Sequence, residues 1–218
     1  MAHTPQTPQT IVVYTDGACE KNGQEGAKAG IGVFFGPNDS RNVSRPLAGE
    51  VQTNQRAELA AFLDALTILL AEVIKSAPQK KAAGTAFAIL SGKAQPTEFE
   101  LNIYSDSTYC VKGWNEWLQG WVARKWKTSK KEPVSNQDLW KPVLLLKTEF
   151  SKLQHVHLDV KWVKGHADTY GNEEADKLAK AGVDPTRPAA IEKPNKTNKR
   201  VKQAIQVEVM VEEEVVCV

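Results

Sequence analysis

The sequence predicts an α/β fold in which one mixed β-sheet has helices packed on it. Three observations lead there. Short apolar, β-branched runs crowd the first fifty residues. One long stretch then repeats its apolar residues at helical spacing. After residue 100, strand-like and helix-like segments alternate.

Ile11–Thr15 is apolar and β-branched and reads as the first strand. Ala29–Phe35 is the second, separated from the first by a Gly-bearing turn at Asn22 and Gly23. Asn42–Leu47 supplies a third and completes an antiparallel meander. From Ala57 to Ile74, Leu59, Phe62, Leu63, Leu66, Leu69, Leu70 and Val73 mark one long helix, with Thr53 or Asn54 as its N-cap. Ser76–Thr97 breaks that pattern with Pro78, Gly84, Gly92 and Pro96 and reads as an inserted loop. Leu101–Ser105 resumes as a strand, Ser107–Trp117 and Asn136–Lys152 as helices, His157–Val163 as a strand and Asn172–Ala181 as a last helix stopped by Gly182. The expected organisation is a disordered leader over residues 1–10, a catalytic domain over 11–183 containing the 76–97 insertion, and a tail over 184–218. The tail is first basic and then valine-rich, with period-2 alternation from Ile205 to Val211.

A chain of 218 residues with 41% hydrophobic content builds one core of ordinary size. The net charge of +2 conceals an uneven map: basic residues crowd Arg124–Lys131 and Lys193–Lys202, and Glu212–Glu214 are acidic. Such a map suits a polyanionic partner. Three widely spaced cysteines, Cys19, Cys110 and Cys217, form neither a disulfide framework nor a zinc pattern. No apolar run reaches the ~18 residues of a membrane span. The first ten residues lack a signal core. An intracellular protein of the cytoplasm or nucleus, monomeric, not secreted and with no membrane partner, is expected.

Four carboxylates stand out. Asp16 and Asp106 each close an apolar strand run, and Glu58 and Asp176 lie in helical stretches that begin TNQRAEL and GNEEAD. Acidic groups brought together repel one another unless a cation lies between them. Hard divalent ions such as Mg²⁺ take oxygen ligands and keep waters. Two of them can activate a water and stabilise the leaving oxygen of a phosphodiester.

TDGAC (15–19), TNQRAEL (53–59), YSDS (104–107) and WVKGHADTYGNEEADKLA (162–179), in this order, resemble type 1 ribonuclease H from about Ile11 to Gly182. The resemblance implies a five-stranded mixed sheet, three antiparallel strands followed by parallel ones, with helices on both faces. It also implies endonucleolytic hydrolysis of the RNA strand of RNA–DNA hybrids, leaving 5′-phosphate and 3′-hydroxyl ends. Asp16, Glu58, Asp106 and Asp176 become ligands of two Mg²⁺ ions, with Mn²⁺ as an alternative. His166 takes the place of the loop histidine that the family uses in proton transfer or product release.

Substrate contacts follow from the same resemblance. Asn22, Asn54 and Gln55 match positions that read the minor groove, where the 2′-hydroxyls of RNA are displayed. Trp117 and Tyr109 match positions that pack on DNA sugars. The stretch Trp114–Lys131 matches a basic protrusion that grips the DNA strand, with Trp114 and Trp121 expected in the core. Thr53 and Asn136 match a pocket for a DNA phosphate. Many eukaryotic relatives carry Arg two residues before that threonine, and this chain has Val51, so Arg56 is the alternative source of charge there. With about ten residues before the first strand, the sequence is expected to be without the N-terminal hybrid-binding domain of many eukaryotic relatives. A non-catalytic hybrid-binding module is disfavoured because all four acidic residues are present. An integrase-like enzyme is disfavoured by the TNQRAEL and GNEEAD segments.

Overall fold

The computed structural model describes residues 7–76, 97–165 and 169–184. In chain order these form β1 (Gln9–Glu20), β2 (Lys28–Phe34), β3 (Val43–Pro46), α1 (Asn54–Ser76), β4 (Phe99–Ser105), α2 (Thr108–Lys112), a π-helical turn (Gly113–Trp117), α3 (Leu118–Ala123), α4 (Gln137–Ser151), β5 (Val156–Trp162) and α5 (Tyr170–Val183). The five strands make one sheet in the order β3-β2-β1-β4-β5. β1, β2 and β3 pair antiparallel, and β4 and β5 add in parallel to β1. This is the mixed sheet the sequence predicts.

The first strand is longer than its apolar run. It starts at Gln9, within the span read as a leader, and continues to Glu20. The extension has a physical cause: the β1–β4 ladder stops at Thr15–Ser105, while the β1–β2 hairpin continues to Glu20–Lys28 and needs no apolar side chains to do so. Asp16 is therefore inside a strand rather than at its end. It is nonetheless the first β1 residue beyond the parallel ladder, as Asp106 is the first beyond β4. α1 begins at Asn54, three residues before its apolar periodicity. The Thr53 hydroxyl accepts from the Arg56 N–H at 3.3 Å and its carbonyl from the Ala57 N–H at 3.0 Å, so Thr53 is the cap. The insertion over 77–96, the tail beyond Asp184 and residues 166–168 lie outside the described residues.

α1 covers one face of the sheet and packs on α4. Its inner side chains, Leu59, Phe62, Leu66 and Leu69, meet Val13, Leu101 and Ile103 of the sheet and Trp140 and Leu146 of α4 in one buried cluster. The buried carboxylate of Asp64 accepts from Nε and Nη2 of Arg45 at 3.0 and 2.8 Å, which compensates its loss of water. α5 covers the other face over β1, β2 and β3. Its approach requires the glycines of β2: a Cβ on Gly30 would lie 2.3 Å from the Ala179 carbonyl oxygen, and one on Gly32 would lie 2.1 Å from that of Ala175. Gly17 does the same for α1, since a Cβ there would fall 2.2 Å from the Glu58 nitrogen. These close contacts set where Glu58 and Asp176 stand relative to Asp16.

Candidate active site

Asp16 is 9% exposed, and the Gly17 N–H donates to its Oδ1 at 2.7 Å. Burial, followed by the charge of Asp106 and then those of Asp176 and Glu58, pushes its pKa up to about 8 against the opposing Gly17 hydrogen bond. The four predicted carboxylates thus share one electrostatic neighbourhood. Glu58 comes from the second turn of α1. Its Oε1 accepts from Asn54 Nδ2 at 2.7 Å and its Oε2 from the Ser107 hydroxyl at 2.6 Å. Burial first, and Asp106 after it, raise its pKa, while these two hydrogen bonds pull the other way.

Three residues of the β5-to-α5 region converge on Asp106. Trp162 Nε1–H donates to its backbone carbonyl at 3.0 Å, and Asn172 Nδ2 donates to its Oδ2 at 3.1 Å. Gly165 lies so close that a Cβ would be 2.6 Å from Oδ2. Asp176 projects from α5 and accepts from Lys180 Nζ at 2.6 Å. Sequence reasoning had not singled out Asn172, Lys180, Trp162 or Gly165 by itself, although all lie in or beside the WVKGHADTYGNEEADKLA segment. Ser107 carried a readable signal: it is the N-cap of α2, accepting from the Cys110 N–H at 3.3 Å. His166 lies outside the described residues.

Among the described residues no three acidic, histidine or cysteine side chains close into a metal cage. Mg²⁺ asks for less, since it keeps several waters and takes one or two carboxylates directly. The donor set fits it: oxygen ligands only, one of them a carboxylate whose pKa is pushed up to about 8 by burial first and then by three acidic neighbours.

An open cleft of about 630 Å³ runs alongside, with Glu58 and Asp106 in its wall. Asn22, Thr53, Asn54, Gln55, Tyr109 and Asn136 line the same cleft. Trp117 is not among the lining residues; it is half-buried, with its ring 6.4 Å from that of Tyr109, which is one of them. Trp114 and Trp121 are in the core, as expected from the sequence. Some of these polar groups also hold the frame. Asn22 Oδ1 accepts from the first N–H of α1 at 3.2 Å. The Tyr109 hydroxyl accepts from Trp140 Nε1 at 2.7 Å and from Asn136 Nδ2 at 3.3 Å, and donates to the Ser135 carbonyl at 3.3 Å.

Arg56 does not offer a free charge to the Thr53–Asn136 end of the cleft. Its guanidinium forks onto Asp138 at 2.9 and 2.5 Å and donates to Asn136 Oδ1 at 3.2 Å. That pairing raises the Arg56 pKa and lowers that of Asp138. Val51 stands at this end, 60% exposed. Polar groups are therefore present there, but without an uncommitted cation from Arg56.

The RNase H family model matches residues 8–184. A ribonuclease H from Schizosaccharomyces pombe is 39% identical over 172 residues, covering 79% of this chain and 52% of that protein. The chain spans about half the length of the first curated relatives it matches. A ribonuclease H from Paramagnetospirillum magneticum is 35% identical over 185 residues, covering 84% of this chain and 96% of that protein. In fold, the chain is similar to the PFV RNase H domain solved in solution, with a TM-score of 0.55 at 23% identity, covering 79% of this chain and 93% of that one. With the match spanning every described strand and helix, the chain belongs to the RNase H family.

Proposed function

We propose that this chain is an endonuclease that hydrolyses the RNA strand of RNA–DNA hybrids by a two-metal mechanism, leaving 5′-phosphate and 3′-hydroxyl ends. One observation carries the reading: a carboxylate, Asp16, whose pKa is raised first by burial and then by the charges of Asp106, Asp176 and Glu58, beside a cleft lined with hydrogen-bonding side chains. Asp16, Glu58, Asp106 and Asp176 would hold the ions. Bound Mg²⁺ would supply Lewis-acid activation of the attacking water and charge stabilisation at the leaving 3′-oxygen.

The chain's own groups do the rest. Asn172 and Trp162 hold Asp106 at its carboxylate and its carbonyl, so that it meets the phosphate side of the cleft in one orientation. Ser107 and Asn54 keep Glu58 at the cleft wall, within reach of a 2′-hydroxyl on the strand being cut. Asn22, Asn54 and Gln55 supply donors and acceptors that distinguish RNA from DNA by that hydroxyl. Thr53, Asn136 and Trp117 serve the DNA strand. His166 would assist proton transfer or product release.

The test is cleavage of a fluorescent RNA–DNA hybrid in Mg²⁺ and in EDTA, with DNA duplex and RNA duplex as controls. Metal-dependent cutting of the RNA strand alone is the expected result. Asp106→Asn should remove most of the activity and leave the thermal midpoint within a few degrees of wild type. Full activity in that variant would overturn the ligand assignment.

A further inference from the structure

The helix that follows Asp106 is not regular. Between α2 and α3 the π-helical turn Gly113–Trp117 carries a Leu118 N–H to Gly113 carbonyl hydrogen bond, one residue wider than an α-helical one. One added residue rotates everything after it by about 100° around the helix axis. The turn ends on Trp117, so its register sets where that indole points.

The turn is held at three places. At Gly113 the backbone rests on the Trp140 indole so closely that a Cβ would be 2.0 Å from the ring. Asn115 Nδ2 donates to the Val160 carbonyl of β5 at 3.0 Å. Lys147, from α4, donates through Nζ to the Trp114 carbonyl, with its ammonium 4.5 Å from the centroid of the Trp114 ring. Trp114 is itself buried, edge-on to Phe62 at 5.6 Å. A half-buried ammonium directed at one backbone carbonyl and one aromatic face is unusual for an amphipathic helix, where Lys ordinarily extends to solvent. Burial also holds its pKa below the ordinary lysine range. From this turn Trp117 reaches the ring of Tyr109, which lines the cleft, at 6.4 Å, and that of Trp121 at 5.7 Å.

We propose that Lys147 is a positioning residue for strand binding: by holding the Trp114 carbonyl it fixes the π-helical turn, and through the turn it sets the Trp117 indole beside Tyr109 of the cleft wall, where it is placed to meet the sugars of a nucleic-acid strand. This rests on the hybrid-cleaving reading above. Lys147 touches no substrate and acts through Trp117.

The experiment uses the full chain and three variants, Lys147→Met, which keeps the apolar stem and removes the donor, Lys147→Arg, which keeps a donor, and Trp117→Ala. Steady-state cleavage of a fluorescent hybrid should show KM raised about five-fold in Lys147→Met with kcat unchanged, a fraction of what a lost aromatic contact costs. KM should return close to wild type in Lys147→Arg. Adding Lys147→Met to Trp117→Ala should raise KM no further. Independently of turnover, the ¹⁹F spectrum of 5-fluorotryptophan-labelled protein, with Trp117 assigned by its loss in Trp117→Phe, should show the Trp117 resonance shifted in Lys147→Met and not in Lys147→Arg. An unmoved Trp117 resonance in Lys147→Met overturns the proposal, as does a KM effect additive with Trp117→Ala. If Lys147→Met does not fold, Lys147→Gln, too short to reach the carbonyl, takes its place with the same outcomes. Failure of the wild type to cleave hybrid refutes the functional reading; the ¹⁹F comparison then still decides the role of Lys147 in placing Trp117.

Discussion

Replacing Asp16 by Asn should make the metal-free protein more stable at alkaline pH while removing its activity. Asp16 has a pKa raised from 3.8 to about 8. Between those values the folded chain holds a proton that the unfolded chain has released. Stability therefore falls as pH rises through this window, is fully present below about 4 and is lost above about 8. A shift of about four units corresponds to at most about 5–6 kcal/mol at about 1.36 kcal/mol per unit. Water in the adjoining cleft and relaxation of the neighbouring acids reduce this to about 2–4 kcal/mol. For a domain of this size that is roughly 5–15 °C in thermal midpoint. Asn keeps the acceptor for the Gly17 N–H and carries no charge to repel Asp106, Glu58 and Asp176. Calorimetry in EDTA from pH 5 to pH 9, on wild type and Asp16→Asn together, cancels the distant titrations common to both, so the difference reports Asp16 with its coupling to Asp106, Asp176 and Glu58. The wild-type midpoint should fall across the series relative to the variant. Mg²⁺ at a hundred times its Kd should return about 2.7 kcal/mol to the wild type at pH 9, and much less to the variant. Parallel pH profiles for the two proteins would refute the argument that Asp16 sits in a repulsive carboxylate cluster.

Gly32→Ala should destabilise the fold by about 3 kcal/mol in urea denaturation, since its methyl would overlap the Ala175 carbonyl of α5, and it should depress activity by moving Asp176. Val51→Arg adds a cation at the end of the cleft where Arg56 is committed to Asp138. Its KM for hybrid should fall, and the slope of log affinity against log salt should steepen by about one unit.

The sheet was legible because its strands are short apolar runs between turn residues, and α1 because fourteen of its side chains are buried. The pair Asp16 and Asp106 was legible for the same reason: each follows an apolar run. The far arm of β1 was not, because Gly17 to Glu20 pair through backbone groups with β2 and show no period-2 apolar signal. Nor was the break in the helix after Asp106, since Ser107–Trp117 reads as regular helix until Gly113 meets the Trp140 indole, a contact made across 27 residues of chain. Asn172 could have been found from its place in GNEEAD, but its bond to Asp106 depends on where α5 docks.

That docking accounts for how Asp176 joins the site. Nothing local to GNEEAD requires its aspartate, Asp176, to meet a strand some 160 residues earlier. The requirement lies in β2, where Gly30 and Gly32 alternate on the face turned to α5 and leave no room for a side chain. Glycine inside a strand weakens it and marks a close backbone approach. Two of them on one face mark a helix lying directly on the sheet. Because β2 pairs with β1 at Gly32–Asp16, the residue that lets α5 in is the cross-strand neighbour of the carboxylate that α5 must reach. The close packing and the carboxylate cluster are thus one feature. Any side chain at Gly32 would lift Asp176 away from Asp16 while leaving all four acidic residues in the sequence.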